Sequence, residues 1–377
     1  MVRIKAAEDL RELRAVIKVV GLGGAGGNAI NRMVEAGVRD VELIAANADA
    51  QDLRRSQAAL RIQIGESLTK GLGVGGDPSK GQMAALESKE QLREVVQGAD
   101  LIFITAGMGG GTGTGAAPVV AQLAKEANAL TIGVVTRPFS FEGRVRELQA
   151  EAGIQELRQH VDTLLIIPND SLFTVTDDKT HAAEAYRKAD DVLRQAVQGI
   201  SDVITTPGDI NMDMNDIRSI MANAGEAHMG VGTGTGPNRA LEAAKAAISS
   251  PLLENVSIDG ARGMLVNIVG NRQMTLAELT EAMKFIQAKG SPEAKIKYGQ
   301  AYDDSMGERL RITVIATGFP ARRARSAPRG ALRAPGLHRR SPLPDIPGLD
   351  APEPARPQPT DWSKPAFLHF KLKKLKS

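Results

Sequence analysis

The stretch Gly107-Met108-Gly109-Gly110-Gly111-Thr112-Gly113-Thr114-Gly115 constrains this chain more than any other. It follows an apolar run, residues 101–106, that reads as a buried strand, and it precedes residues 116–128, which read as a helix. A strand, a glycine loop and a helix N-terminus together form a device for holding phosphate. Glycines let backbone N–H groups approach the oxygens closely, and the helix dipole favours negative charge. A tight turn needs only one or two glycines. Six within nine residues carry a backbone entropy cost that a turn does not require. Two threonine hydroxyls inside the loop can add hydrogen bonds or face a metal ion.

A second glycine loop, Gly21-Leu22-Gly23-Gly24-Ala25-Gly26-Gly27-Asn28, follows a strand at residues 15–20 and leads into a helix at 29–36. A third, residues 71–78, lies between a short strand at 60–64 and a mostly helical stretch at 78–97. Further strands are expected at 41–46, 130–136 and 163–168, with a helix at 142–159. Apolar strands alternating with helices predict a parallel sheet covered on both faces. Ligands of such sheets bind outside the carboxyl ends of the strands, where all three loops fall. Residues 182–204 carry an apolar stripe at Ala185, Ala189, Val192, Ala196, Ile200 and Ile204, which predicts one long helix. Beyond it, strands at 263–269 and 309–316 and helices at 238–248 and 276–286 suggest a smaller α+β domain.

Charge is unevenly distributed. Residues 320–377 hold 13 Lys and Arg against 4 Asp and Glu, and the rest of the chain holds 34 against 40. The basic excess therefore belongs to a tail that also carries 11 of the 19 prolines, and it gives no reason to expect nucleic-acid binding by the body. The absence of cysteine excludes disulfides and thiolate metal sites, as suits a reducing cytoplasm. No apolar run approaches the roughly 20 residues of a membrane helix. Residues 1–14 are charged and lack the apolar core of a signal peptide.

Gly21, Gly23 and Gly26 satisfy the G-x-G-x-x-G spacing of a dinucleotide site, and Asp49 at the end of the second strand could serve as its ribose acid. A non-polymerising NAD-dependent oxidoreductase is the alternative this spacing allows. Two glycine-rich loops on separate strands fit one triphosphate better, and no residue pair suited to hydride transfer is visible. Neither principal loop contains the lysine of a Walker A loop.

Residues 109–115 resemble the signature loop of the tubulin/FtsZ GTPase family. Segments 17–33, 44–53, 136–143, 167–170, 211–216 and 248–254 resemble family segments in the same order, so the likeness covers about residues 10–319. It implies a Rossmann-like α/β GTPase domain over 15–181, a central helix over 182–206 and an α+β activation domain over 207–319. A lead-in over 1–14, a disordered linker over 320–360 and a docking peptide over 361–377 complete the expected layout. Gly24, Ala25, Gly26, Gly27 and Asn28 would cradle the phosphates of GTP or GDP. Gly110, Gly111, Thr112 and Gly113 would hold the terminal phosphates, with Thr112 near the γ-phosphate and its Mg²⁺. Glu142 and Arg146 would face the ribose, Asn169 and Asp190 the base, and Tyr186 would stack on it. An aspartate accepts hydrogen bonds from the N1–H and N2 amino groups of guanine, which adenine does not offer, so GTP is expected over ATP.

The resemblance also implies that Asn211, Asp213 and Asp216 complete the site of the neighbouring subunit, where carboxylates orient and polarise the attacking water. Read alone, the same spacing at a helix start means capping and dipole compensation. A filament that binds GTP without hydrolysing it is disfavoured by the intact pair of aspartates. The implied partners are further copies of the chain joined head to tail, with division proteins and membrane tethers at the tail. Residues 365–368 keep the end of the family's docking peptide with an altered lead-in. The lysine-rich run 371–376 offers contact with anionic lipid instead. The implied location is the mid-cell division ring on the inner face of the membrane.

Overall fold

The computed structural model describes residues 15–171, 181–205, 210–253 and 258–319. The expected lead-in, linker and docking peptide lie outside them.

Six consecutive strands build a parallel sheet. They are β1 (Ile17–Leu22), β2 (Glu42–Asn47), β3 (Leu60–Gln63), β4 (Leu101–Gly107), β5 (Leu130–Arg137) and β6 (Thr163–Pro168). Their spatial order, β3-β2-β1-β4-β5-β6, continues through β7 (Gly225–Gly234), β10 (Leu310–Thr317), β8 (Gly263–Gly270) and β9 (Lys295–Tyr302). β7 links the two halves because its ends have different partners. Gly225 to Ala227 pair parallel with Thr163 to Leu165, whereas His228 to Gly234 pair antiparallel with β10.

Both faces of the parallel sheet are buried, which explains its uninterrupted apolar runs. Leu101 and Phe103 of β4 face Ala29, Ile30 and Met33 of α1 (Gly23–Glu35) and the stripe of α8 (Ala182–Thr205). Ile102 and Ile104 face the opposite layer, built from α4 (Pro78–Glu87), α5 (Lys89–Val96), α6 (Thr112–Glu126) and α7 (Arg144–Arg158). The stripe of α8 also reaches Leu265 of β8 and Ile315 of β10. The far face of that second half is covered by α10 (Arg239–Ile248) and α11 (Leu276–Lys289). No helix among the described residues is long and apolar enough to cross a membrane.

Several local expectations need correction. Two of the glycine loops are shorter than expected, because α1 begins at Gly23 and α6 at Thr112. The glycines inside α1 include one forced by packing. A Cβ on Gly26 would lie 2.5 Å from the Thr105 carbonyl oxygen and 2.8 Å from the Gly21 carbonyl carbon. The helix expected at 78–97 breaks at Ser88. Strands β7 and β9 and the short helices α2 (Ala50–Arg54) and α3 (Glu66–Thr69) are additions to the expected elements, and α9 (Met214–Met221) is the helix whose start the spacing of Asn211, Asp213 and Asp216 implied.

Candidate functional site

The carboxyl ends of β1, β2 and β4 open into a cleft of about 440 Å³. Its walls include Gly24, Ala25, Gly110, Gly111, Thr112, Gly113 and Arg146. The first turns of α1 and α6 meet there. Gly23 has φ +68°, and a Cβ on it would lie only 2.9 Å from the Gly113 nitrogen, so the two helix starts sit side by side. A helix leaves its first N–H groups without intrahelical acceptors. Neither helix has a capping side chain or an acidic residue in its first turn. Two helix starts with neither a capping side chain nor an acidic residue of their own therefore converge on one cleft, an arrangement that favours a polyanion. A Cβ on Gly27 or Gly110 would meet no atom within 4 Å. That open space suits phosphate lying against bare backbone.

The third glycine loop closes the cleft. Leu72, Gly73, Val74, Gly75 and Gly76 line it, and a Cβ on Gly111 would come within 2.3 Å of Val74 Cγ2. Asn47, Asp49 and Asp52 line its β2 side. Asn47 donates from Nδ2 to Asp52 at 2.7 Å, and Asp49 accepts from the backbone N–H groups of Gln51 and Asp52. Asp49 is therefore the N-cap of α2, a role the dinucleotide reading did not foresee. Apart from Asp49, these wall residues lay outside the set named from sequence. The local signal for those at 72–76 was glycine density.

Gly26 is packed against β1 and β4 and lines neither this cleft nor the cavity beside it. Gly27 and Asn28 line a neighbouring cavity of about 240 Å³ on the flank of α1, which shares Gly23, Asn47 and Asp52 with the main cleft.

A second corner lies beyond Arg146. Its Nε is 3.1 Å from Glu142 Oε2, while Glu142 Oε1 accepts from the Phe139 N–H at 2.8 Å. The Tyr186 ring packs edge-on to Phe139 at 5.3 Å. Burial raises the pKa of its phenol, as does the nearby Glu142 carboxylate, and Arg146 opposes this. One turn on along α8, Asp190 is buried. Desolvation pushes its carboxyl up to about 7, with Arg32 of α1 pulling the other way. Asn169, at the end of β6, is buried with no partner for its Oδ1. A buried carboxyl and an unpaired amide oxygen call for a hydrogen-bonding ligand.

Asn211, Asp213 and Asp216 are not in this cleft. They follow α8, whose 24 residues span about 36 Å, and Tyr186 and Asp190 stand near its other end. The helix that Asp213 caps and that carries Asp216, α9, ends with the Met221 carbonyl accepting from Thr163 Oγ1 at the amino end of β6. The acidic segment thus lies at the opposite end of the parallel strands. Asp213 caps α9 by accepting from the Asp216 N–H at 2.7 Å, and Asp216 Oδ1 is 2.6 Å from Lys297 Nζ.

Comparison with known proteins follows this division. The profile of the Tubulin/FtsZ family, GTPase domain, matches residues 16–177, and that of the FtsZ family, C-terminal domain, matches residues 225–320. The chain is similar to an FtsZ dimer from M. jannaschii, with 43% identity, 82% of this chain and 90% of that one covered, and a TM-score of 0.79. A mutant form of FtsZ from that organism matches equally well, with 83% and 93% covered, at 43% identity and TM-score 0.79. CetZ2 from Haloferax volcanii, solved as a GTPγS-bound protofilament, shares the fold at 21% identity, with 81% and 94% covered and a TM-score of 0.69.

Proposed function

The chain belongs to the FtsZ family, within the wider tubulin/FtsZ GTPases, and on that premise we propose that it polymerises head to tail and hydrolyses GTP where two subunits meet. It is a GTPase of the cytoskeletal class. The observation that carries the finer reading is the separation of parts. The phosphate cradle and the carboxylates Asp213 and Asp216 stand at opposite ends of one subunit, so no single chain assembles both. A head-to-tail contact brings them together and, repeated, makes a filament. The solved relatives named as a dimer and a protofilament support this assembly.

In the proposed site, the N-termini of α1 and α6 bind the phosphates with Gly24, Ala25, Gly26, Gly27 and Asn28 on one side and Gly110 to Gly113 on the other. Glu142 and Arg146 take the ribose. Asp190 and Asn169 take the guanine edge, and Tyr186 covers its face. No group of three or more acidic or histidine side chains among the described residues could hold a metal. Magnesium would arrive with the phosphates, on the Thr112 hydroxyl, and supply charge neutralisation. The neighbour's Asp213 and Asp216 orient the attacking water, with Asn211 beside them.

We place the nucleotide domain at 15–181, the connecting helix at 182–206 and the activation domain at 207–319. The filament serves as the scaffold of the cytoplasmic division ring, with residues 361–377 meeting tethers, division proteins or anionic lipid. Light scattering with GTP and Mg²⁺, followed in parallel with phosphate release, tests the core of this reading. Polymer and turnover should appear above the same protein concentration. Full turnover below that concentration contradicts it.

A further inference from the structure

The acidic segment does not hang free from α8. It runs along the edge strand β9. The Gln300 N–H donates to the Ile210 carbonyl at 3.0 Å. A Cβ on Gly299 would come within 3.4 Å of Met212 Cε and 2.8 Å of Val203 Cγ1, so bare backbone admits this contact. The third contact is charged, with Lys297 Nζ 2.6 Å from Asp216 Oδ1. Lys297 is held at a fixed register, opposite Leu265 of β8.

This arrangement answers an electrostatic problem. Head-to-tail assembly brings Asp213 and Asp216 toward a triphosphate, and like charges repel strongly once water is excluded. Arg218 stands two positions after Asp216 and so faces another side of α9. Lys297 provides a cation on the carboxylate itself. By taking Oδ1 it also fixes the Asp216 rotamer and leaves Oδ2 to accept from water.

We propose that Lys297 is a positioning residue for GTP hydrolysis, holding Asp216 in its working orientation and offsetting the negative charge that the acidic segment carries to the next subunit. This rests on the head-to-tail reading above. The ion pair is partly exposed, with side-chain accessibilities of 38% and 32%. Such pairs contribute little to stability, so removing it should leave the fold intact.

The test uses the full chain and compares Lys297→Met, Lys297→Arg and Asp216→Ala. Phosphate release per polymerised subunit, half-saturating GTP and assembly with a slowly hydrolysed GTP analogue are measured for each. Lys297→Met should lower turnover per polymerised subunit about tenfold or more, with half-saturating GTP unchanged and analogue-driven assembly retained at a raised protein concentration. Lys297→Arg should recover most of the loss. Wild-type turnover in Lys297→Met overturns the proposal, as do failed recovery in Lys297→Arg and lost analogue-driven assembly in Lys297→Met. Asp216→Ala separates the two levels. If it turns over normally, hydrolysis at the interface is itself wrong; if it is inactive while Lys297→Met is not, only the role of Lys297 fails.

Discussion

Asp213 Oδ1 accepts a hydrogen bond from the Asp216 backbone N–H at 2.7 Å, so one proposed hydrolytic carboxylate caps the helix that carries the other. The capping and chemical roles are separable by substitution. Asp213→Ser keeps a capping oxygen and loses the carboxylate, whereas Asp213→Ala loses both. Thermal unfolding should show Asp213→Ser near wild type and Asp213→Ala lower by about 1 kcal/mol. Phosphate release should be nearly abolished in both, with GTP binding retained. Normal turnover in Asp213→Ser would leave the segment a cap alone.

The glycines of α1 divide by what surrounds them. A Cβ on Gly26 collides with the Thr105 carbonyl, and one on Gly27 meets nothing. Gly26→Ala should destabilise the protein by about 1–3 kcal/mol through overpacking. Gly27→Ala should raise stability by about 0.5–1 kcal/mol, as expected for glycine replaced inside a helix. It should at the same time weaken GTP binding by filling the cradle. Melting curves and nucleotide titration read both effects. Tight GTP binding by Gly27→Ala would place the phosphates elsewhere.

Asp190 makes pH dependence a reporter of base recognition. Burial lifts its carboxyl from an ordinary 3.8 to about 7 in the nucleotide-free protein. Because the folded value is raised, its contribution to stability is fully present below about pH 4 and is lost as pH rises through 7. Guanine needs the ionised form, which accepts N1–H and the N2 amino group. GTP affinity should therefore climb as pH rises through 7, with proton uptake by the buffer below it, as read by calorimetry in buffers of different ionisation enthalpy. Asp190→Asn should flatten both profiles and shift preference toward xanthosine triphosphate, whose C2 carbonyl accepts from an amide. An unchanged GTP profile in Asp190→Asn would remove the base from this corner.

Magnesium at a triphosphate site takes most of its ligands from phosphate and water, so its binding should require nucleotide. Calorimetry of the nucleotide-free protein should show no stoichiometric Mg²⁺ uptake. Chelation should stop phosphate release while bound GDP stays in place. Thr112→Val should raise the Mg²⁺ concentration needed for half-maximal turnover. Tight Mg²⁺ binding without nucleotide would point to a ligand set beyond Thr112.

Much of this was legible locally. The period-2 burial of Leu101 to Ile104 on both faces is visible as an apolar run, and the stripe of α8 is visible at helical spacing. The starts of α1 and α6 were misplaced because glycine disfavours helices, whereas here it lets helix, strand and ligand approach closely. β7 escaped notice for a related reason. A Cβ on Gly230, Gly232 or Gly234 would come within about 2 Å of α10 backbone oxygens, so a packed strand reads as a loop. β9 is an edge strand that begins Lys295-Ile296-Lys297, too polar at its start to stand out. In the site, the glycine loops announced phosphate on their own. The base corner and the interface role of Asp213 and Asp216 came from family likeness. The contact of Lys297 with Asp216 joins segments far apart in the chain and had no local signal.

The central claim, one active site shared by two subunits, is tested most directly by complementation. Asp216→Ala keeps the cradle and loses the acid, and Gly110→Val blocks the cradle and keeps the acid. Phosphate release is measured for each alone and for a mixture allowed to co-assemble. Neither variant alone should hydrolyse GTP, and the mixture should, because an Asp216→Ala cradle then meets an intact acidic segment. A mixture that co-pellets as polymer yet releases no phosphate would contradict the account.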